Sequence, residues 1–255
     1  MSVNQYGQQT GFDLPDWQPV PRLVRGTLHG RFCDLVPLTL DHSEALFAAY
    51  SLTGDDRDWT WLGTMMPRSL PEMSAWITDK IQDESLVPWA VIDARTEMPV
   101  GVVCFAETDT EHGLTEIGHV TWSPLMQRTA IGTEAVFLML NHAFSTGYRR
   151  VAWRCDSLNQ ASRRAAERIG FTYEGRFRQA MVRKLRNRDT DWLSIIDAEW
   201  PTINIALRTW LAEDNFTAEG EQKVKLDALL KSARESASHS ERVTMVLQDE
   251  IRRPV

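Results

Sequence analysis

The sequence predicts a mixed α/β fold built on one central sheet, and three observations predict it. Strand-like and helix-like segments alternate in the order β-α-α-β-β-β-α-β-α-β-β, with a further helix toward the C-terminus. Apolar residues make up 43% of the 255-residue chain, enough for a sizeable core. The turn QRTAIGTEA, Gln127 to Ala135, joins a strand-like run ending at Trp122-Ser123-Pro124 to an apolar helical run from Ile131 to Phe144. Such a turn leaves backbone N–H groups free at a helix start, where the dipole favours an anion, and Arg128 adds a positive charge. The segment reads as a diphosphate cradle.

Residues 1–27 are polar and carry Pro15, Pro19 and Pro21, which predicts an extended arm. Phe32 to Leu38 reads as a strand. Asp41, with Glu44 three residues on, predicts a capped helix through Leu46, Phe47 and Tyr50. Gly54 to Pro67 is a loop bearing Trp59, Trp61 and Leu62. Pro71 opens a second helix through Trp76 and Ile77. Pro88 to Asp93 and Val100 to Glu107 form a hairpin. Leu114 to Trp122 is the strand before the cradle, and Gly118 in its middle marks a bulge or a close approach. The cradle helix is apolar on nearly every side and ends at Gly147. Arg150 to Cys155 is a strand. Asn159 caps a helix from Gln160 to Ile169 that ends at Gly170. Phe171 to Phe177 and Trp192 to Asp197 read as strands separated by a charged loop, Arg183 to Thr190. Glu199 to Ala212 is a helix, and Glu219 to Ser236 is amphipathic at helical spacing.

Composition excludes several classes. A net charge of −7 argues against a general nucleic-acid binder. No apolar run reaches the length of a transmembrane helix, and the first thirty residues lack the apolar core of a secretory signal. Cys33, Cys104 and Cys155 lie far apart inside apolar runs, which suits buried free thiols in the cytoplasm and neither a disulfide frame nor a zinc site. No Gly-Lys-Ser/Thr follows the cradle, so a nucleotide P-loop is excluded.

The EIGHVTW strand, the turn QRTAIGTEA and the stretch RCDSLNQASRRAAERIGFTYEG, in this order and spacing, resemble the GNAT superfamily of acetyl-CoA-dependent N-acetyltransferases. The later EGRFRQAMVRKLRNRDTDWLSIIDAEWP is similar to a subgroup of the branch that includes the ribosomal-protein N-terminal (RimJ/RimL-like) acetyltransferases. The resemblance spans 28–216 and leaves 217–255 as a C-terminal helical extension. It implies a mostly antiparallel, splayed sheet of about seven strands flanked by helices. It also implies transfer of an acetyl group from acetyl-CoA, as co-substrate and without a metal, to a primary amine. That amine is a protein or peptide N-terminus or a small molecule, attacking directly in a ternary complex. A monomer or homodimer, with no nucleic-acid or membrane partner, is expected. A second class of function is a catalytically silent acyl-CoA-binding module used for sensing or assembly.

The family's phosphate loop, Q/R-x-x-G-x-G/A, reads here Gln127-Arg128-Thr129-Ala130-Ile131-Gly132. Gln127 and Gly132 match, and Ala130 replaces the usual first Gly. A left-handed backbone at Ala130 would weaken binding, whereas a helical one costs nothing; the loop runs straight into a helix, which favours the second. Backbone donors from Ala130 to Thr133 and the Arg128 side chain are expected to hold the diphosphate. The thioester carbonyl is expected to meet a backbone donor around Val120 to Trp122. Glu116 is the first candidate for a base and reads equally as a salt-bridging residue. His119 lies at the opposite strand parity and reads as structural. In place of a Tyr acid the resemblance brings Asn159 to the pantetheine arm and Ser162 to the sulfur, and Asn159 is compatible with a helix cap as well. Asp189 or Asp191 would hold a substrate ammonium or lie in a solvated loop. Trp59, Trp61 and Leu62 would wall the acceptor cleft or belong to the core.

Overall fold

A computed structural model describes residues 2–251, with side chains to His239. The arm contains a small hairpin, β1 (Ser2–Val3) with β2 (Gln9–Thr10). There follow β3 (Leu28–His29), β4 (Cys33–Pro37), α1 (Ser43–Ser51), α2 (Leu70–Gln82), β5 (Val87–Asp93), β6 (Pro99–Asp109) and β7 (Leu114–Trp122). The second half is α3 (Ala130–Ser145), β8 (Arg150–Asp156), α4 (Gln160–Ile169), β9 (Thr172–Arg183), β10 (Arg186–Ile196), α5 (Trp200–Leu211) and α6 (Leu226–Ile251). Strands β3 to β10 form one eight-stranded sheet in the order β3-β4-β5-β6-β7-β8-β10-β9. Every neighbouring pair is antiparallel except β7 with β8.

Period-2 alternation sends the two faces of this sheet to two cores. Trp89, Val91, Val103, Phe105, Ile117, Val151 and Trp153 face α3 and α5. Ala90, Val102, Cys104 and Ala106 face α1 and α2, where Tyr50, Trp59 and Trp76 stack edge to face. Chemically legible caps set the helix bounds. Ser69 accepts from Glu72 N–H at the start of α2, with Pro71 in the first turn. Asn159 accepts from Ser162 N–H at the start of α4, and Gly170 (φ 119°) closes that helix in left-handed geometry.

Three expectations need correction, and the contacts of the arm add to another. Asp41 does not cap the first helix: it lies inside a 3-10 turn, Leu40–His42, that begins at Thr39, whose N–H donates to His42 Nδ1 (3.1 Å), and α1 follows with His42 at its N-cap and no side-chain cap. The arm is pinned to the domain, since Trp17 Nε1 donates to Glu111 O, Val20 N to Thr110 O, and Trp89 Nε1 to Gly26 O. The charged stretch Arg183 to Thr190 is no loop but mostly strand, and β9 and β10 turn through Lys184 and Leu185 alone (φ 48° and 62°). The final helix starts at Leu226, seven residues later than its amphipathic pattern suggests, and Leu226 and Leu230 enter the α3-side core.

Candidate active site

Strands β7 and β8 pair only through Leu114–Arg150, Thr115–Val151 and Glu116–Ala152. Beyond Glu116 they separate, so the backbone of β7 from Ile117 to Trp122 has no strand partner on that side. On its other side β7 carries a bulge against β6 between Gly118 and Thr121, with His119 in left-handed geometry (φ 50°). A bulge inserts one residue and re-aims the side chains beyond it. His119 therefore turns to the α1/α2 face, where its Nδ1 meets Lys80 Nζ at 3.2 Å. Simple alternation from Glu116 predicts the opposite face, and the bulge overturns that prediction.

At the far end of β7 the chain folds into the cradle. Ser123 O accepts from both Met126 N and Gln127 N. Gln127 Nε2 donates to Trp122 O (3.3 Å) and to Asp58 (3.0 Å), tying the turn to the loop before α2. The left-handed residue is Arg128 (φ 61°), not Ala130, which is the first residue of α3. Ala130 is thus in the geometry that alanine favours. Thr129 sits at the N-cap but gives no side-chain cap, and its hydroxyl donates to Met126 O (2.8 Å). The start of α3 thus lacks the protein cap that Asn159 gives α4, and its N–H groups face outward beside the exposed Arg128. Gly132 is needed for packing: a Cβ there would lie 3.0 Å from the Trp122 indole. Ile131 is buried in the core, and the Thr133 hydroxyl accepts from Arg168 (2.8 Å). Those two residues can offer only backbone to a ligand. Val120 is half-buried against the α3-side core.

Across the gap, α4 begins at the end of β8. Asn159 Oδ1 is spent on the Ser162 N–H, which leaves its amide donors for a ligand. Ser162 Oγ accepts from Trp153 Nε1 (3.0 Å), so the indole occupies a lone pair and frees the hydroxyl to donate.

The α1/α2 face of the gap is strongly charged. Glu116, 7% exposed, forms an ion pair with Arg154, whose guanidinium also meets Glu107 (3.0 Å) and lies over the Trp192 ring (4.9 Å). Burial pushes the Glu116 carboxyl up to about 7, against the pull of Arg154. Burial of the ring, then the Lys80 ammonium, lowers His119 to about 4, although the residue as a whole is exposed. The imidazole is neutral at physiological pH, and with Nδ1 accepting from Lys80 its remaining proton sits on Nε2. It can therefore donate but is a poor base.

The acceptor-side expectations fare unevenly. Trp59 is 3% exposed and lies in the core between Tyr50 and Trp76, so it lines no pocket. Only its carbonyl reaches the cleft, accepting from Lys184 Nζ (2.7 Å). Trp61 is half exposed on the same loop. Asp189 Oδ1 accepts from Gln179 N (2.8 Å) and Asn187 (3.0 Å) at a bulge of the β9–β10 hairpin, which leaves Oδ2 without a protein partner among the described residues. Asp191 is wholly buried between Arg163 and Arg176 and cannot hold an ammonium. Sequence reasoning missed Lys80, Arg154, Arg183 and Arg188. For Arg183 and Arg188 the one signal was the density of charge in the stretch read as a loop, and nothing in the sequence marked Lys80 on α2 or Arg154 on β8. Among the described residues no group of His, Cys, Asp and Glu is placed to hold a metal ion.

An outward-facing helix start at the end of a splayed strand, with an amide and a hydroxyl across the gap, is a shape that other proteins share. Residues 34–172 match the profile of the acetyltransferase (GNAT) domain. A GCN5-related N-acetyltransferase from Brucella melitensis is 40% identical, with a TM-score of 0.84 over 86% of this chain and 100% of that one. The uncharacterized N-acetyltransferase YoaA of Bacillus subtilis (strain 168) is 25% identical over 163 residues, 62% of this chain and 90% of that protein. The fold is also that of a RimL ribosomal L7/L12 alpha-N-protein acetyltransferase, at a TM-score of 0.58 and 22% identity over 70% of this chain and 99% of that one. The splay, the helix start and these likenesses agree, and the chain belongs to the GNAT family of N-acetyltransferases.

Proposed function

We propose that the protein moves an acetyl group from acetyl-CoA to a primary amine by direct attack in a ternary complex. The observation that carries this reading is the start of α3, uncapped by any side chain of its own and flanked by Arg128, at the mouth of the β7–β8 gap. The diphosphate fits there, held by the N–H groups of Ala130 to Thr133 and by Arg128. The pantetheine arm fits between β7 and β8, with Asn159 Nδ2 as a donor to it. The backbone of Val120 to Trp122, freed from strand pairing, supplies the donor for the thioester carbonyl. Gln127 holds the turn in shape.

In the reaction the amine nitrogen gives up a proton, bonds to the carbonyl carbon and displaces the thiolate as the C–S bond breaks. Glu116, with its raised affinity for protons, is the acceptor of the amine proton, through water. Ser162 donates to the departing sulfur.

The test separates cap from cofactor roles at one position. In Asn159→Ser a hydroxyl still caps α4 but the amide donors are gone. Acetyl-CoA affinity by calorimetry is expected to fall about tenfold, or about 1.4 kcal/mol, with little change in Tm. Unchanged affinity would remove Asn159 from the cofactor site. Release of CoA thiol over an amine panel tests the reaction itself.

A further inference from the structure

The acidic chain hides a cationic cleft. Acidic residues outnumber basic ones, 35 to 28, so a local excess of cations is not a matter of composition. Yet Lys80 from α2, Arg154 from β8, Arg183 from β9 and Arg188 from β10 gather around Glu116 and His119. Their fields reach one another: Arg188 acts on Glu116, Arg183 and Arg154 act on His119, and Arg183 and Arg154 both act on Arg188.

Of these cations only Arg154 has carboxylate partners. Among the described residues, Lys80, Arg183 and Arg188 have no carboxylate within 4.0 Å. Lys80 Nζ meets the His119 ring (3.2 Å) and the Trp76 face (4.6 Å). Arg183 Nε meets only Met181 Sδ (3.2 Å). Arg188 Nε is buried without a hydrogen-bond partner, and Asp156 acts on it only from beyond ion-pair distance. Burial and the two neighbouring guanidiniums hold Arg188 below the usual arginine range.

The deficit extends along β10. Thr190 Oγ1 and Trp192 Nε1 are also buried without partners. Arg188, Thr190 and Trp192 alternate along the strand and so share one face, the face on which Trp192 meets Arg154. Three alternate positions thus hold buried, unmatched polar atoms on one face of the strand. Orphaned groups of this kind cost stability unless water, an ion or a ligand satisfies them. The neutral His119, with its proton on Nε2, adds a further donor. The hairpin also packs on the loop before α2: Lys184 holds the hairpin tip to Trp59 O (2.7 Å), and a Cβ at Gly63 would fall on Arg183.

We infer that the acceptor amine carries a carboxylate, seated on Arg188 and Arg183 with the row of β10 donors, so that its amine faces Glu116. This rests on the transferase reading above and names the class of acceptor for that same site. Planar bidentate pairing with carboxylate is what guanidinium does best. A free amino acid and a peptide whose terminal residues are acidic share this chemistry.

The experiment measures thiol release with acetyl-CoA on matched acceptors. One arm compares glutamate and aspartate with their amides and with the corresponding decarboxylated amines. The other compares short peptides bearing Asp or Glu near the N-terminus with their Asn or Gln counterparts. At least a tenfold higher kcat/KM is expected for the carboxylated member, and the arm that shows it identifies the source. Arg188→Gln is expected to raise KM for the carboxylated acceptor at least tenfold more than for its neutral partner, with acetyl-CoA affinity unmoved, and Arg188→Lys to recover part of the loss. Arg183→Gln, at an exposed position, gives the same discrimination if Arg188 variants fold poorly. Equal or better turnover of neutral and decarboxylated amines overturns the inference and leaves the transferase reading intact. Weaker acetyl-CoA binding in the arginine variants also overturns it, by assigning the cluster to the donor. Acetyl-CoA binding without thiol release on any acceptor overturns both.

Discussion

Glu116 is pulled in two directions, and the balance can be measured. Burial raises its carboxyl to about 7 while Arg154 draws it down. As a base it works only when deprotonated, so kcat/KM should climb through about pH 7 and level off above it. Glu116→Gln should lower turnover about 100-fold, abolish that rise and leave acetyl-CoA affinity unchanged; a surviving pH limb would assign the base elsewhere. Stability gives an independent check. The folded carboxyl binds its proton more tightly than an ordinary glutamate, which titrates at 4.5, so the folded state is favoured at low pH and loses that advantage as pH rises from about 4.5 to about 7. Thermal unfolding of wild type against Glu116→Gln at pH 5 and pH 8 should show the wild type losing ground, and an opposite slope would contradict the raised value. Glu116 was legible as a candidate from its place on the strand before the cradle. The face of His119 was not, because alternation cannot foresee the extra residue of a bulge. Gly118 hinted at irregularity without saying which side chain it would turn.

At the scale of elements, one buried carboxylate joins α3 to the start of the sheet. Glu134, 3% exposed, accepts from Arg31 N (2.9 Å), Phe32 N (2.5 Å) and Cys33 N (2.8 Å). Gly30 completes the joint, since a Cβ there would lie 2.6 Å from the Glu134 carboxyl carbon and would strike Cys33 O. Glu134→Ala orphans three backbone donors and should cost about 3 kcal/mol or more. Gly30→Ala should cost about 1–3 kcal/mol from crowding, and the two together should cost less than their sum. Urea unfolding checks both, and strict additivity would show that the sites do not share a joint. No periodicity marks Glu134, since it sits in a helix that is apolar around it. The β9–β10 turn was hidden for a different reason. Two successive left-handed residues normally announce themselves as Asn-Gly or Asp-Gly, and here they are Lys184 and Leu185. With no turn chemistry to read, the charged strand Arg186 to Thr190 passed for a loop. Strands β5 to β8 and helices α2 to α5 fell close to their expected places because caps, glycines and hydrophobic period all agreed there.

For the whole molecule, element order is local information and was readable, whereas the cationic cleft draws on α2, β8, β9 and β10 and exists only once the sheet has assembled. The proposed donor half of the site, by contrast, lies within Val120 to Ser162, short enough to be recognised as one run of sequence. The three cysteines carry a consequence that spans the sheet. Cys33 on β4, Cys104 on β6 and Cys155 on β8 are all free and buried. Burial pushes Cys104 and Cys155 up to about 11, and burial with Glu134 nearby pushes Cys33 above the usual thiol range. A disulfide reagent added to the native protein should therefore find almost no thiolate, and labelling should become complete in denaturant. Rapid labelling of a single cysteine under native conditions would reveal a strand that opens on its own. The protein thus supplies its own silent background: colour that develops during turnover counts product, and slow colour in its absence counts molecules passing through the unfolded state.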